Sequence, residues 1–232
     1  MTTVGAAEES AGALAQFLPS VVDRGQATEI VTDALREAIV TGSVPAGTWL
    51  REGEVGKELG VSRTPVREAF RRLADEGLLV KATHQGTIVT SISYDDVNAL
   101  YAARIPLEGV VAQLAAETGG PRLVSELEAI QAEMTNACER GDASGFIRLN
   151  LRFHRALSDA SGSVYLQRIM LQVENFFRRL PSTAGGSAER QRGVLAEHEA
   201  IIRAIAAGDP EAASRAAVEH MSEVRASRLT RL

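Results

Sequence analysis

The stretch from Arg51 to Val89 carries the pattern that most constrains how this chain folds. Two short helices are predicted on either side of the turn Gly60-Val61-Ser62, which is the tight spacing of a helix-turn-helix. The second helix has apolar residues at i, i+3, i+4 and i+7: Val66, Ala69, Phe70 and Leu73. After Gly77, two short apolar runs enclose a glycine-containing loop and predict a β-hairpin, or wing. The stretch therefore predicts a winged helix-turn-helix.

The outer face of the second helix is polar and basic. It carries Thr64, Arg67, Glu68 and Arg71, with Arg63 at its entrance. Such a helix fits the major groove of double-stranded DNA, where an arginine can donate two hydrogen bonds to a guanine edge. A charged helix that faces solvent on a small helical domain would show the same periodicity. The pattern by itself leaves both interpretations open.

The run LGVSRTPVREAFRRLADEGLL, which begins at Leu59, resembles the winged-helix signature of the GntR family of bacterial transcription regulators. The resemblance extends from about Ile30 to Ser91. It implies that operator DNA is touched by Ser62, Arg63, Thr64 and Arg67, and that the wing tip enters the minor groove with His84, Gln85 and Gly86. Arg71, one turn further along the same face, is a further candidate for DNA binding.

The chain departs from this family pattern at two positions. Many members carry Arg or another contact residue where this chain has Gly53, and Arg at the wing tip where it has Gln85. Both departures are expected to weaken individual contacts or to shift the preferred DNA sequence. They are not expected to remove DNA binding.

From about Asp95 onward the chain lacks any strand pattern and is predicted to be helical. Helices are expected near residues 94–103, 105–118, 122–140, 143–160, 163–180, 188–207 and 210–228. Aromatic residues make up only 4% of the chain and alanine is abundant, which favours helix-on-helix packing. The predicted fold is mainly α, with an N-terminal winged helix-turn-helix joined to a C-terminal antiparallel all-α helical bundle.

Three segments are predicted: a mobile N-terminal tail over 1–26, a DNA-binding domain over 27–92, and an all-helical domain for effector binding, metal binding and dimerisation over 93–232. The net charge is −5, so the positive charge that meets DNA must be local to the helix-turn-helix. The single cysteine, Cys138, excludes an internal disulfide. Because no apolar run reaches membrane-spanning length, we expect a cytoplasmic protein with no membrane partner.

Three of the four histidines lie in the middle of apolar stripes on three different predicted helices: His154, His198 and His220. A buried imidazole without a partner costs on the order of 1–3 kcal/mol, so three of them indicate a shared ligand. A divalent cation would satisfy all three, and Asn150, one helical turn before His154, could bind the same ion. Alternatively, each histidine bonds a backbone carbonyl or faces solvent at a stripe edge.

The segments LNLRFHRAL, AEHEAIIRAI, GDPEAA and VEHM resemble the FCD-type ligand-binding domain of the FadR branch of GntR regulators, over about Asp95 to Arg228. Metal-binding members of that branch hold a divalent ion, often zinc, nickel or manganese, with an Asp or Asn and three histidines. The resemblance implies that the ligands here are Asn150, His154, His198 and His220. Because Asn stands where many members have Asp, the site is expected to be more positive.

Arg104 is predicted on the inward stripe of its helix, together with Leu100, Leu107 and Val111. A buried arginine indicates a carboxylate partner. One hypothesis is that a small organic acid is the effector, held by the metal on one side and by Arg104 on the other. The alternative is an intrachain salt bridge with a glutamate of the bundle. Glu197 and Glu199 are predicted to point away from the His198 stripe, which leaves no obvious general base.

These features predict a homodimeric, ligand-responsive transcription factor, a repressor rather than an activator, and not an enzyme. Two winged domains would bind the two halves of a palindromic operator, since the two-fold symmetry of the protein is mirrored in the DNA. Two rival interpretations stay open. The chain could be a metal-dependent enzyme with a DNA-binding appendage, because a three-histidine site can activate water. Alternatively, it is a regulator whose metal site is purely structural.

Overall fold

The chain forms two compact units in a computed structural model that describes residues 14–17, 26–82, 86–180 and 186–230. The first unit comprises Met1–Ile92 with Asn175–Leu180, and the second comprises Ser93–Glu174 with Pro181–Leu232. A small sheet lies in the first unit, whereas the described residues of the second are helical or in turns. The predicted mainly α fold, a winged helix-turn-helix with a helical bundle, is confirmed.

The predicted DNA-binding region consists of short helices and a three-stranded sheet. Its elements are a 3-10 turn Ala15–Phe17, α1 Ala27–Val40, β1 Trp49–Leu50, α2 Glu52–Glu58, α3 Arg63–Asp75, β2 Leu79–Ala82 and β3 Gly86–Val89. The strands are antiparallel in the order β1-β3-β2, and Val80 of β2 lies opposite Ile88 of β3. Gly60, at φ +67°, makes the turn between α2 and α3 in the left-handed region that glycine adopts at no steric cost.

The apolar face of α3 forms the centre of the first core. Val66, Ala69 and Leu73 are fully buried there, in one cluster with Val31 and Leu35 of α1. Burying a large aliphatic side chain contributes roughly 1.5–3 kcal/mol. This packing fixes the rotation of α3 about its own axis, so its polar face points to solvent.

The predicted N-terminal tail and the predicted wing tip are each described only in part. Within the segment predicted to be a mobile tail, Leu14 is buried in the first core, and its backbone N–H donates to Glu58 Oε1 at 2.8 Å. At the predicted wing tip, His84 and Gln85 lie outside the described residues, and Gly86 begins β3.

The bundle is built from long helices. They are α4 Tyr94–Thr118, α5 Gly120–Glu139, α6 Ala143–Ala160, α7 Val164–Arg178, α8 Ala188–Ala206 and α9 Pro210–Leu229. Helix α4 packs along α9, α8 contacts both α5 and α9, and α6 contacts α4 and α5. Among the described residues, no helix is long and apolar enough to cross a membrane.

The first bundle helix differs from the prediction. Separate helices are predicted over 94–103 and 105–118, but α4 runs unbroken over 25 residues with Pro106 inside it. A proline removes the hydrogen bond to the carbonyl four residues earlier, here that of Ala102. Both Ala102 and Pro106 are exposed, so water can satisfy this carbonyl and the helix continues.

Candidate functional site

Three histidines converge inside the helical bundle. His154 of α6, His198 of α8 and His220 of α9 each offer a ring nitrogen, and these three atoms lie within 4.8 Å of one another. The Nε2 atoms of His154 and His220 are 3.4 Å apart. His198 is 0% and His220 2% exposed, and 10% of the His154 side chain is exposed. The three predicted metal-binding histidines therefore share one site from which water is largely excluded.

The separation of the His154 and His220 nitrogens fits a divalent cation. In a tetrahedral zinc site with Zn–N bonds of about 2.0–2.1 Å, two ligand nitrogens are separated by about 3.3–3.4 Å. The Nε2 atoms of His154 and His220 are 3.4 Å apart. Imidazole nitrogen is also a preferred ligand of zinc and nickel.

Several buried polar atoms in this region have no hydrogen-bond partner among the described residues. They include both ring nitrogens of His198, Nδ1 of His154, and Oδ1 of Asn150, which lies one turn before His154 on α6. The His198 ring stacks on Phe153 with centroids 3.8 Å apart, which holds its plane but satisfies neither nitrogen. Leaving a buried donor or acceptor unsatisfied costs about 1–3 kcal/mol. A cation held by Asn150 Oδ1 and one ring nitrogen of His198 would remove that cost for these two atoms.

Two glutamates approach the other ring nitrogens of this cluster. Glu197 Oε2 lies 2.7 Å from Nδ1 of His220, which is a hydrogen bond. Glu108 Oε2 lies 3.3 Å from Nδ1 of His154, which is an ion-pair contact and not a hydrogen bond. The Nδ1 atoms therefore face carboxylates while the Nε2 atoms face each other.

Each of these glutamates is paired with an arginine. Arg190 donates to the two oxygens of Glu197 at 2.6 and 3.0 Å, and Arg104 donates to Oε1 of Glu108 at 2.9 and 3.0 Å. Burial opposes the ionisation of Glu108, but the charges of His154 and Arg104 outweigh it and lower the pKa of this carboxyl. Burial also opposes the ionisation of Glu197, but hydrogen bonds from His220 and Arg190 outweigh it and lower the pKa of this carboxyl. The salt bridge considered as an alternative role for Arg104 is thus present.

Burial controls the protonation of two of the histidines. It lowers the pKa of His198 well below the ordinary value of 6.5. It also lowers the pKa of His220, although the hydrogen bond to Glu197 acts in the opposite direction. Rings with a lowered pKa are neutral at pH 7, and the neutral imidazole is the form that coordinates a metal.

The position of Glu197 corrects a prediction. The sequence predicts that this side chain points away from the site, but the structure directs it to His220. The prediction considered only the apolar stripe of α8, whereas α9 packs on α8 and brings His220 against the edge of that stripe. The helical period of α8 shows which of its residues share a face, but it does not show that a neighbouring helix covers part of the polar face.

Glu108 was not among the predicted site residues, although it leaves a signal in the sequence. In the continuous α4 it lies seven residues after Tyr101 and four before Ala112, and all three are buried. This is the spacing of a helical stripe. The predicted inward stripe of this helix included Leu107, which is only half-buried, and left out the buried Glu108 beside it.

A cavity of about 460 Å³ opens beside the site. Arg104, Glu108 and His154 form part of its lining, and side chains of α6 and α7 form the rest. Those side chains include the apolar Leu151, Val164, Met170 and Leu171 and the basic Arg155 and Arg168. Arg104, the predicted effector-binding residue, thus lines a space of the size that small molecules occupy.

The predicted DNA-reading face of α3 is presented to solvent. Its exposed residues are Ser62, Arg63, Thr64, Arg67 and Arg71. Arg67 pairs with Glu52 of α2 at 3.0 Å, and Arg71 pairs with Glu68 at 3.2 Å. Water screens such surface ion pairs, so little opposes their exchange for contacts with phosphates or bases.

Two glycines of the first unit allow a neighbouring group to approach the backbone closely. A side chain added at Gly53 would begin 3.4 Å from the Arg63 guanidinium, so the glycine lets Arg63 lie over the start of α2. Gly86 has φ +114°, which L-residues rarely adopt, and a side chain there would begin 3.4 Å from the Leu50 carbonyl oxygen. The Gly53 departure therefore gives space to a neighbouring arginine.

Both units match known protein families. Residues 27–89 match the model described as "Bacterial regulatory proteins, gntR family", and residues 99–223 match that of the FCD domain. The chain belongs to the GntR family. This GntR protein is 34% identical over 195 residues to the "Probable D-xylose utilization operon transcriptional repressor" of Paenarthrobacter nicotinovorans, which covers 83% of this chain and 84% of the relative.

A second relative has a similar level of identity. The "Uncharacterized HTH-type transcriptional regulator YdhC" of Bacillus subtilis is 32% identical over 192 residues, covering 81% of this chain and 84% of the relative. Such matches, together with the two domains, make this GntR protein a DNA-binding transcriptional regulator.

Solved structures agree with the two-domain fold. A GntR transcriptional regulator from Rhodococcus sp. RHA1 superimposes with a TM-score of 0.67 at 26% identity, covering 88% of this chain and 98% of that one. Escherichia coli McbR/YncC superimposes with a TM-score of 0.70 at 24% identity, covering 88% of this chain and 95% of that one, and it bears on the fold alone.

Proposed function

We propose that this GntR regulator is a homodimeric repressor that binds a palindromic operator and responds to a small organic acid bound near a metal ion. The observation that carries the proposal is the convergence of three imidazoles beside a cavity lined by Arg104. The repressor role has support from relatives named as repressors of xylose-utilization and gluconate operons.

The DNA-binding step uses the outer face of α3. Its exposed residues would enter the major groove: Ser62, Arg63, Thr64, Arg67 and Arg71. The wing tip at 84–86 would enter the minor groove. Two copies related by a two-fold axis would read two half-sites, so the operator would be palindromic.

The metal would be held by His154, His198 and His220, with Asn150 Oδ1 as a fourth ligand. Three nitrogen donors and one amide oxygen favour zinc or nickel over manganese, which prefers carboxylates and water. A bound divalent ion supplies positive charge and positions where an oxygen ligand can bind. The four side chains supply no negative charge, so an anionic ligand would be favoured.

The effector would be a small organic acid held in the cavity between the metal and Arg104. Because Arg104 is already bonded to Glu108, the acid would have to share this guanidinium or take it over. For the acid to control transcription, it must bind better to one arrangement of the two DNA-binding domains than to the other. This requirement makes operator affinity the quantity to measure.

The test measures operator affinity by fluorescence anisotropy, with zinc-loaded protein and a panel of small carboxylic acids. We expect at least one acid to change the affinity by roughly 5–150-fold, the usual range of coupling between two sites. The amide of the same acid should have no effect, and Arg104→Gln should lose the response but still bind operator. If no acid in a broad panel changes the affinity or gives heat in calorimetry, the effector role is wrong.

A purely structural metal is the second candidate, and the full burial of His198 and His220 favours it, because structural metal sites are closed to solvent. In that case, chelation would lower the melting temperature while no acid affects operator affinity. The enzyme alternative has less support, because Glu108 and Glu197 are each engaged by an arginine and a histidine. A hydrolase screen with added zinc tests it.

A further inference from the structure

We propose that Glu108 and Glu197 are positioning residues that fix the metal-facing tautomers of His154 and His220. The inference rests on the proposed metal site and extends it beyond the four ligand side chains. It assigns to each carboxylate the task of holding the proton on Nδ1, so that the Nε2 lone pair is free for the cation.

The argument is clearest at His220. An ionised carboxylate can only accept hydrogen bonds, so Nδ1 of His220 must donate the 2.7 Å bond to Glu197. In a neutral imidazole, a proton on Nδ1 leaves a lone pair on Nε2. That Nε2 is the atom that lies 3.4 Å from His154.

Glu108 faces Nδ1 of His154 from a longer distance, without a completed hydrogen bond. Its Oε2 is the carboxylate oxygen nearest to Nδ1, at 3.3 Å, and only 2% of its side chain is exposed. The 3.4 Å contact between the Nε2 atoms is a hydrogen bond when one of them carries the proton, but with both protons on Nδ1 the two Nε2 lone pairs face each other. Facing lone pairs repel in a buried site, and a cation between them turns this repulsion into coordination.

The carboxylates are themselves held in place. Arg190 binds both oxygens of Glu197, and Arg104 binds Oε1 of Glu108, which leaves Oε2 for the histidine. The order of contacts is therefore Arg–Glu–His on each side of the cation position. Asparagine and metal-bound histidine carry no negative charge, so Glu108 and Glu197 are the carboxylates that contact this site.

His198 provides an internal comparison. Neither of its ring nitrogens has a hydrogen-bond partner among the described residues, and its plane is held by stacking on Phe153. The proposed positioning therefore applies to two of the three histidines. We expect the tautomer of His198 to be unaffected by changes at either glutamate.

The test uses the full-length chain with Glu108→Gln and Glu197→Gln. A glutamine amide can donate as well as accept, so it no longer dictates which ring nitrogen carries the proton. Zinc affinity of the metal-free protein, measured against a competing chromophoric chelator, should fall by about 10–100-fold in each variant. Nitrogen-15 NMR of the metal-free protein should show Nδ1–H at His154 and His220 in the wild type, and a mixed or reversed tautomer at the affected ring in each variant.

The control is Glu76→Gln in the first unit. Glu76 also pairs through both oxygens with an arginine, Arg36, at 2.7 and 2.8 Å, so this change removes an equivalent ion pair without touching a histidine. Its zinc affinity and imidazole spectrum should match the wild type. The tautomer readout is taken on variants whose folded state is confirmed by circular dichroism. Glu197 is partly exposed, so its variant tests the proposal even if Glu108→Gln fails to fold.

The outcomes separate this inference from the proposed function. If the wild type binds zinc and both variants bind it equally well, or if metal-free His220 carries its proton on Nε2, the positioning role is overturned while the metal site stands. If the wild type does not bind zinc at all, the proposed metal site fails and this inference fails with it. A selective loss in the two variants supports both.

Discussion

Arg63 and Arg67 project from α3 into solvent, and their protein contacts are weak enough to be exchanged. Arg67 is bonded to Glu52, and Arg63 lies over Gly53. His198 of the bundle, in contrast, is fully buried. Neither of its ring nitrogens has a hydrogen-bond partner among the described residues. Two predictions about single side chains follow from these different environments.

The first prediction concerns DNA reading. The double change Arg63→Ala and Arg67→Ala should weaken operator binding by roughly 10–100-fold for each guanine that is no longer bound, because water cannot replace a bidentate arginine–guanine pair. Gel-shift titration against the operator at fixed salt measures this. Arg152→Ala, which removes an exposed arginine from the bundle, is the matched control and should bind normally. Unchanged operator affinity in the double variant would contradict the assignment of α3.

The second prediction concerns His198. Replacement by leucine should abolish tight zinc binding, yet it should stabilise the metal-free protein by about 1–3 kcal/mol, because it removes buried polar atoms that lack partners. Urea unfolding in the presence of a chelator, and again with zinc, separates the two effects. A metal-free variant that is less stable than the wild type would show that His198 has a polar partner after all.

At the level of helices, the bundle follows its sequence pattern closely except at α4. The helices of the bundle begin and end near the predicted positions because apolar period, caps and glycine stops are local signals. Pro106 is also a local signal, but the packing of α4 against α9 overrides it. The cost of a proline on an exposed face is evidently smaller than the gain from burying a long apolar stripe.

A third prediction tests this explanation of α4. Pro106→Ala should restore a backbone N–H that can donate to the Ala102 carbonyl, and should raise the free energy of unfolding by about 1–3 kcal/mol. Chemical denaturation of the metal-free protein measures it. Gln113→Ala, at another exposed position of the same helix, should change stability by much less. A destabilised Pro106→Ala protein would mean that the local geometry of α4 depends on the proline.

For the whole molecule, the buried histidines link stability to pH. The pKa values of His198 and His220 lie below 6.5 in the folded state, with burial as the first cause for both. Below about pH 6.5 the unfolded chain binds protons at these residues that the folded chain does not. By linkage, the free energy of unfolding must then fall as the pH decreases.

The fourth prediction states this sign for the metal-free protein. Between about pH 6.5 and the lower folded-state pKa values, the free energy of unfolding should fall by about 1.4 kcal/mol per histidine for each pH unit. Below about pH 4.5 the lowered pKa values of Glu108 and Glu197 add a loss of the same sign. Denaturation curves at several pH values measure the slope, and His198→Leu should reduce it between pH 6.5 and 5. A slope that is the same in this variant would exclude His198 as a source.

The three histidines and the arginines of α3 can be predicted from the sequence because each lies at a regular position within one helix, and a helical period requires only local contacts. The arrangement of Glu108, Glu197, Arg104 and Arg190 around the histidines could not be obtained in this way. The glutamate–histidine contacts join α4 to α6 and α8 to α9, so they depend on which helices pack together and at what rotation. The position of a helix and of its apolar stripe follows from the spacing of residues along the chain. The partner of a buried charge depends instead on which neighbouring helix packing brings within about 3–4 Å of it.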